Sequence, residues 1–180
     1  MEFESYEQFW NHQATTPESA LAAVDGSASE EVVQTTGRYT ARQVATALDL
    51  ADQDTLLELG CGVGRIGREL APRCRHWTGV DISSNMIAHA QERMADLGNT
   101  AFHELRRSSL EALGDDSISK AYSVAVLCHM DKEDLFLYLK DLWRVVQPKG
   151  LIYVETWNLA HPIGWKRWEY EVNNWNRSDQ

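Results

Sequence analysis

Two carboxylates and a run of alternating glycines carry the clearest chemistry in this chain. Glu58 stands two residues before Gly60, and Gly60, Gly62 and Gly64 alternate ahead of Gly67 within Thr55–Gly67. Alternating glycines admit backbone conformations that a Cβ would forbid and let a ligand lie against the main chain. A helix expected to begin near Gly64 adds free N–H groups and a positive dipole end at the same spot. A nucleotide-like cofactor suits that spot. Gly62, Gly64 and Gly67 also satisfy the dinucleotide fingerprint, with Asp81 near the distance expected for an acid that grips a ribose. Glu58 points elsewhere: a carboxylate at a strand end can face a cationic ligand group, whereas it would repel a pyrophosphate.

The order of elements around these residues is regular. Residues 1–36 read as a helical preface, with Phe3, Tyr6, Phe9 and Trp10 at helical spacing and Thr16-Pro17 as a cap followed by a first-turn proline. Most of that aromatic stripe is expected to pack on the core. A helix is expected over Thr40–Leu50, then the glycine strand, a short helix over 65–72 and a strand at His76–Asp81. A helix over Ser83–Leu97 has Met86, Ile87, Ala90, Met94 and Leu97 on one face, and Gly98 closes it. Thr100–Leu105 reads as a third strand and the almost wholly apolar Ala121–Leu127 as a central fourth. Asp131 opens a helix with Leu135, Leu139, Leu142, Trp143 and Val146 on its apolar face. Pro148-Lys149-Gly150 stops it, and Leu151–Glu155 is a fifth strand. Strands alternating with helices predict an α/β fold, a parallel sheet covered on both faces and joined by right-handed crossovers.

Together, Glu58, the glycine turn, Asp81 and the fourth-strand turn resemble the class I (Rossmann-like) S-adenosylmethionine-dependent methyltransferases over roughly residues 36–157. The resemblance implies a three-layer α-β-α methyltransferase fold and S-adenosylmethionine as cofactor, leaving S-adenosylhomocysteine as product. It implies that Gly60, Cys61, Gly62 and Gly64 line the methionine and ribose part, that Glu58 faces the ammonium, and that Asp81 accepts from the ribose hydroxyls. The structural alternative for Asp81 is a cap for the helix after it. Ile82 would pack on the adenine with Met86 behind it, and Ser109 and Leu110 would serve the adenine edge where the family commonly has an acid. Ile118-Ser119 departs from the family's phenylalanine-aspartate pair. Cys128 is placed beside the cofactor. His129 is the candidate general base for an acceptor that must shed a proton, with helix capping or a buried carbonyl as its structural alternative. Arg38 and Tyr39 are weaker candidates for covering the cofactor. The expected reaction is methyl transfer to O, N or C of a small molecule. The alternatives are a cofactor-binding but catalytically incomplete or non-enzymatic module and, more remotely, a nicotinamide-dependent oxidoreductase.

Composition bounds the rest. With 180 residues the chain is expected to be one domain: a helical cap (1–36), a cofactor-binding core (37–157) and a Trp-rich tail (158–180). A net charge of −10 disfavours a nucleic-acid partner. The six histidines are dispersed without ligand spacing, so no metal is expected. Arg65-Ile66-Gly67 does not supply the Gly-Lys-Ser/Thr of a P-loop. Three scattered cysteines, no membrane-length apolar run and an acidic N-terminus point to a reduced, cytoplasmic setting. The tail places Trp165, Trp168, Val172 and Trp175 on one helical face and then stops at Gln180, with no residues left for the family's C-terminal antiparallel strand pair. Either the chain is truncated, which is the expectation, or a shortened sheet edge is covered by the Trp helix or by a second copy. A homodimer through that edge is the corresponding expectation.

Overall fold

The computed structural model describes residues 3–174, so Trp175 and the residues after it lie outside the description. Five parallel strands run β1 (Thr55–Leu59), β2 (His76–Asp81), β3 (Thr100–Glu104), β4 (Ile118–Val124) and β5 (Val146–Glu155), ordered β3-β2-β1-β4-β5. Helices α1 (Tyr6–Gln13), α2 (Pro17–Asp25) and α3 (Glu30–Ala47) precede the sheet. Then come α4 (Gly67–Leu70), α5 (Ser84–Arg93), α6 (Lys132–Val145) and α7 (Pro162–Asn174). The order reverses at β1, with β2 on one side and β4 on the other. That switch point, beyond the carboxyl ends of the strands, is where an open α/β sheet leaves room for a ligand.

Strand alternation divides the core in two. Leu56, Trp77 and Tyr122 pack with Val44 of α3, Leu48 just after it, Leu70 of α4 and Ile87 of α5. Leu57, Leu59, Val80 and Ala121 face the other way and pack with Tyr138, Leu142 and Val145 of α6. In register, Glu58 pairs with Gly79 and with Tyr122. Asp81 lies two residues beyond Gly79, so both carboxylates share the α3–α5 face.

Several elements differ from the sequence expectation. β4 ends three residues early, because Ala125 takes φ +57 and Leu127–His129 coil into a 3₁₀ turn. β5 begins at Val146 and runs through Pro148-Lys149-Gly150, with Lys149 at φ +70 and a register shift between Ile118 and Lys120 on its partner. The buried side of α6 is Tyr138, Leu142 and Val145, while Leu139 and Trp143 are exposed. The helix after the glycine turn starts at Gly67 rather than Gly64 and has four residues, so its dipole contributes little to the turn. In α1 no residue is fully buried, though Trp10 packs on the core cluster of Leu21, Val33, Val63 and Met86, as expected of the aromatic stripe. Among the described residues, β5 is an edge strand with Leu151 exposed. Trp165 and Trp168 of α7 contact each other and are exposed, so they do not seal that edge.

Candidate functional site

The glycine turn is pinned before any ligand is considered. The Gly60 and Cys61 N–H groups both donate to the Val80 carbonyl, at 2.8 and 3.0 Å. Gly60 (φ +75) and Gly62 (φ +51) occupy the left-handed region that only glycine enters without cost. The space a Cβ would take at Gly60 is filled by Val126, and at Gly62 by Val24. Gly64 packs against Met94 and Ala90, away from the cavity described below. The third glycine therefore serves the approach of α5, and protein side chains rather than open space meet the bare backbone.

Asp81 completes the turn. Its Oδ2 accepts the Gly62 N–H at 2.8 Å and its Oδ1 the Ser83 N–H at 2.9 Å. Burial raises its pKa, and the N–H groups of Ser83, Gly62 and Ile82 oppose the rise. Ser83, not Asp81, is the side-chain cap of α5, accepting the Met86 N–H at 3.1 Å. Each Asp81 oxygen keeps acceptor capacity beyond its one backbone bond.

Glu58 is buried on the same face. The Tyr122 hydroxyl donates to its Oε2 at 2.5 Å, and Trp77 Nε1 donates to that hydroxyl at 3.1 Å. Burial pushes the Glu58 carboxyl up to about 8, against the opposing pull of the Tyr122 hydrogen bond and the Arg65 charge.

A cavity of about 660 Å³ opens at these residues. Its floor is Glu58, Gly60, Cys61, Gly62, Asp81, Ile82 and Met86, all anticipated from the sequence. Its far wall is Leu105, Ser108 and Tyr138. Ser109 and Leu110 are not part of it: the Leu110 N–H (2.6 Å) and the Ser109 hydroxyl (3.1 Å) both donate to Asp141 Oδ2 on α6. That contact draws them toward α6, with Leu110 buried in the core beside Leu142, and leaves Ser108 facing the cavity. Cys128 also lies off the cavity wall, on the 3₁₀ turn whose His129 faces it. Arg38 bonds Gln34 and faces Glu69 on the outside of α3, and Tyr39 is exposed, so neither covers the cavity.

The rest of the lining comes from α1, within the helical cap expected of residues 1–36, and from segments after β5 that the sequence reading did not place at the site. Tyr6 and Trp10 of α1, Trp157 after β5, and Ile163 and Arg167 of α7 also line it. The His129 ring sits between Trp10 and Trp157, with centroids at 5.5 Å from each, and the Arg167 guanidinium lies 5.7 Å above Trp157. Asp25 and Arg65 line the cavity beside the glycine turn, 3.9 Å apart. Arg65 directly follows the third glycine, and Asp25 ends α2 before Gly26; those placements were the available signals, though Asp25-Gly26 reads in sequence only as a break.

Residues 56–150, more than half of the chain, match the family described as the methyltransferase domain. The chain belongs to that family. Among relatives of this domain, the malonyl-[acyl-carrier protein] O-methyltransferase of Salmonella typhimurium is 28% identical over 145 residues, 79% of this chain and 55% of that protein. The 23S rRNA (uracil(1939)-C(5))-methyltransferase RlmD of Methylococcus capsulatus is 38% identical over 74 residues, 40% of this chain and 17% of that one. Among solved structures, the phosphoethanolamine N-methyltransferase 1 of Haemonchus contortus, complexed with phosphoethanolamine and S-adenosylhomocysteine, shares the fold. Its TM-score is 0.69 at 18% identity, covering 81% of this chain and 30% of that one. The chain thus spans little more than half, or less, of the curated relatives it matches.

Proposed function

We propose that the chain binds S-adenosylmethionine at the glycine turn and transfers its methyl group to a small-molecule acceptor. One observation carries the reading: Glu58 and Asp81, on neighbouring strands, share one face and open on one cavity at the switch point of the sheet. The residues fit the cofactor. The cavity has the volume of a typical small-ligand site. Asp81 has oxygen capacity for a ribose diol, and Ile82, Leu105 and Tyr138 provide an apolar slot for a purine. When bound, the cofactor supplies an electrophilic methyl group on a cationic sulfur.

The chain's own part is then positioning and exclusion of water. Asp81 and the turn fix the sugar, and Tyr6, Trp10 and Trp157 help exclude water. His129, at the aromatic end, takes a proton from an acceptor that carries one. The short α4 offers little dipole to a pyrophosphate, which disfavours a nicotinamide dinucleotide.

The net charge of −10 and the small-ligand volume of the cavity support a small acceptor over RNA. The same reading takes residues 1–36, 37–157 and 158–180 as cap, core and tail of one domain. It takes the setting as cytoplasmic, supported by the buried thiols of Cys61 and Cys74, although the structure itself shows only that no described helix is long and apolar enough to cross a membrane. Exposed Leu151 and Ile152 on the edge strand support self-association there. Calorimetry with S-adenosylhomocysteine on the wild type and Asp81→Ala tests the assignment, and equal binding by both would remove Asp81 from the site. A methyl-release assay against metabolites and RNA separates turnover on either acceptor class from binding alone.

A further inference from the structure

Buried polar atoms that lack partners are uncommon, and each asks for a reason. Two of opposite charge stand together in this cavity. The side chains of Arg65 and Asp25 are only 13% and 10% exposed and come no closer than 3.9 Å, beyond hydrogen-bond distance. Arg65 Nη1 and Asp25 Oδ2 have no hydrogen-bond partner. A buried pair at such a separation recovers little of the desolvation cost of its charges.

Rigid elements hold the two groups apart. Asp25 is the last residue of α2, stopped by Gly26 at φ +73. Arg65 follows Gly64, with its carbonyl pressed so closely on Gly37 of α3 that a Cβ there would come within 2.6 Å. Backbones anchored in this way present the two side chains toward one occupant.

We propose that Arg65 and Asp25 form a receptor for a zwitterionic α-amino-acid head, Arg65 taking the carboxylate and Asp25 the ammonium of the cofactor's methionine end. The assignment rests on the cofactor reading above and moves the ammonium from Glu58 to Asp25. Glu58 Oε2 accepts the Tyr122 hydroxyl, and burial favours the neutral form of Glu58, so it answers a cation less well than Asp25 does. A lone anion would match Arg65 and leave Asp25 unanswered, and a lone cation the reverse; a zwitterion answers both.

The test is calorimetric binding of three adenosyl thioethers or sulfonium compounds to wild type, Asp25→Asn and Arg65→Met. S-adenosylhomocysteine carries both head charges, decarboxylated S-adenosylmethionine keeps only the ammonium, and 5′-methylthioadenosine has neither. Asp25→Asn is expected to lose about thirtyfold or more for the first two ligands, the scale of removing one partner of a buried charge contact. Arg65→Met loses as much for S-adenosylhomocysteine alone. Both variants hold 5′-methylthioadenosine as the wild type does, which also reports that they are folded. Equal weakening toward all three ligands, or none toward S-adenosylhomocysteine, overturns the assignment. Failure of the wild type to bind any of the three overturns the cofactor reading together with it.

Discussion

The Tyr122 hydroxyl holds Glu58 across the β1–β4 pair with a 2.5 Å hydrogen bond, at the position where the two residues are in register. Trp77 from β2 donates to the same hydroxyl, so three adjacent strands meet in one polar chain inside the core. Arg65, Asp81 and Cys61 are the other charged or titratable groups near it. Burial raises Glu58 from 4.5 to about 8, so between those values the folded state keeps a proton that the unfolded chain releases. Stability from this group is complete below pH 4.5 and falls as pH rises through 8. Asp81, also raised by burial, adds to the fall. Glu58→Gln is expected to reduce the loss of unfolding free energy between pH 6 and pH 9 by on the order of 2–4 kcal/mol. Tyr122→Phe, which removes a bond that lowers Glu58, moves the fall to higher pH. Urea denaturation across that range reads both; identical pH slopes in wild type and Glu58→Gln would contradict the burial argument.

Gly60 couples the turn to the end of β4. A Cβ on it would sit 2.3 Å from Val126 Cγ2, and its φ of +75 penalises any L side chain. Gly60→Ala is expected to destabilise by about 2–5 kcal/mol, the sum of overpacking and left-handed strain. Adding Val126→Ala removes the two γ-carbon clashes but leaves the Cβ of residue 126 at 3.0 Å and the left-handed strain, so the double variant should recover only part of the penalty, leaving about 1–3 kcal/mol apart from the cavity cost of Val126→Ala measured alone. A double-mutant cycle in denaturant measures the coupling, and simple additivity would show that Val126 yields freely.

These relationships mark where the sequence was legible. β2 emerged with the expected bounds, and Glu58 and Asp81 met on one face, because strand parity and spacing are local properties of the chain. The end of β4 was hidden, since a positive φ at Ala125 leaves no compositional mark. The apparent stop at Pro148-Lys149-Gly150 became part of an edge strand, where proline and an irregular register are tolerated. At the site, Ser108 rather than Ser109 faces the cavity because Asp141, distant in sequence, captures the next two residues. Trp10, Trp157, Arg167 and Asp25 reach the cavity through tertiary folding alone, which periodicity does not encode.

Asp141 is accordingly a structural anchor with a defined pH signature. It accepts from Leu110 and Ser109 through one oxygen and from Arg144 Nε at 3.2 Å through the other. Burial pushes its carboxyl up, but the Leu110 N–H, Arg144 and Ser109 outweigh it and hold the pKa below 3.8. Its stabilisation is present above 3.8 and is lost as pH falls through the lowered value. Asp141→Ala is expected to cost about 1–3 kcal/mol at pH 7. The difference from wild type should shrink on acidification below 3.8. A constant difference from pH 7 to pH 3 would place the effect in packing instead.

The α1 part of the cavity lining is tied to the start of α5 through Asn11. Its Oδ1 accepts from the Ser83 hydroxyl at 2.8 Å, the Asn85 N–H at 3.2 Å and the Ser84 hydroxyl at 3.3 Å, and its carbonyl accepts from Asn85 Nδ2 at 2.9 Å. α1 buries none of its own residues fully, so these bonds, with the Asp131 N–H donated to the Tyr6 hydroxyl at 2.9 Å, carry much of its attachment. Asn11→Ala removes the side-chain acceptor and leaves the first turn of α5 with one fewer partner, a loss of about 1–2 kcal/mol for a network of neutral hydrogen bonds. That cost falls on local opening of α1 rather than on the sheet, because elements with few buried contacts open independently. Hydrogen exchange across Tyr6–Gln13 should therefore speed up by about tenfold, the rate equivalent of that energy, with β1 and β2 nearly unchanged. Asn11→Asp keeps the oxygen acceptors and should exchange close to the wild type. Acceleration spread evenly over the sheet, or an Asn11→Asp variant as loose as Asn11→Ala, would show that α1 is held by something other than these bonds.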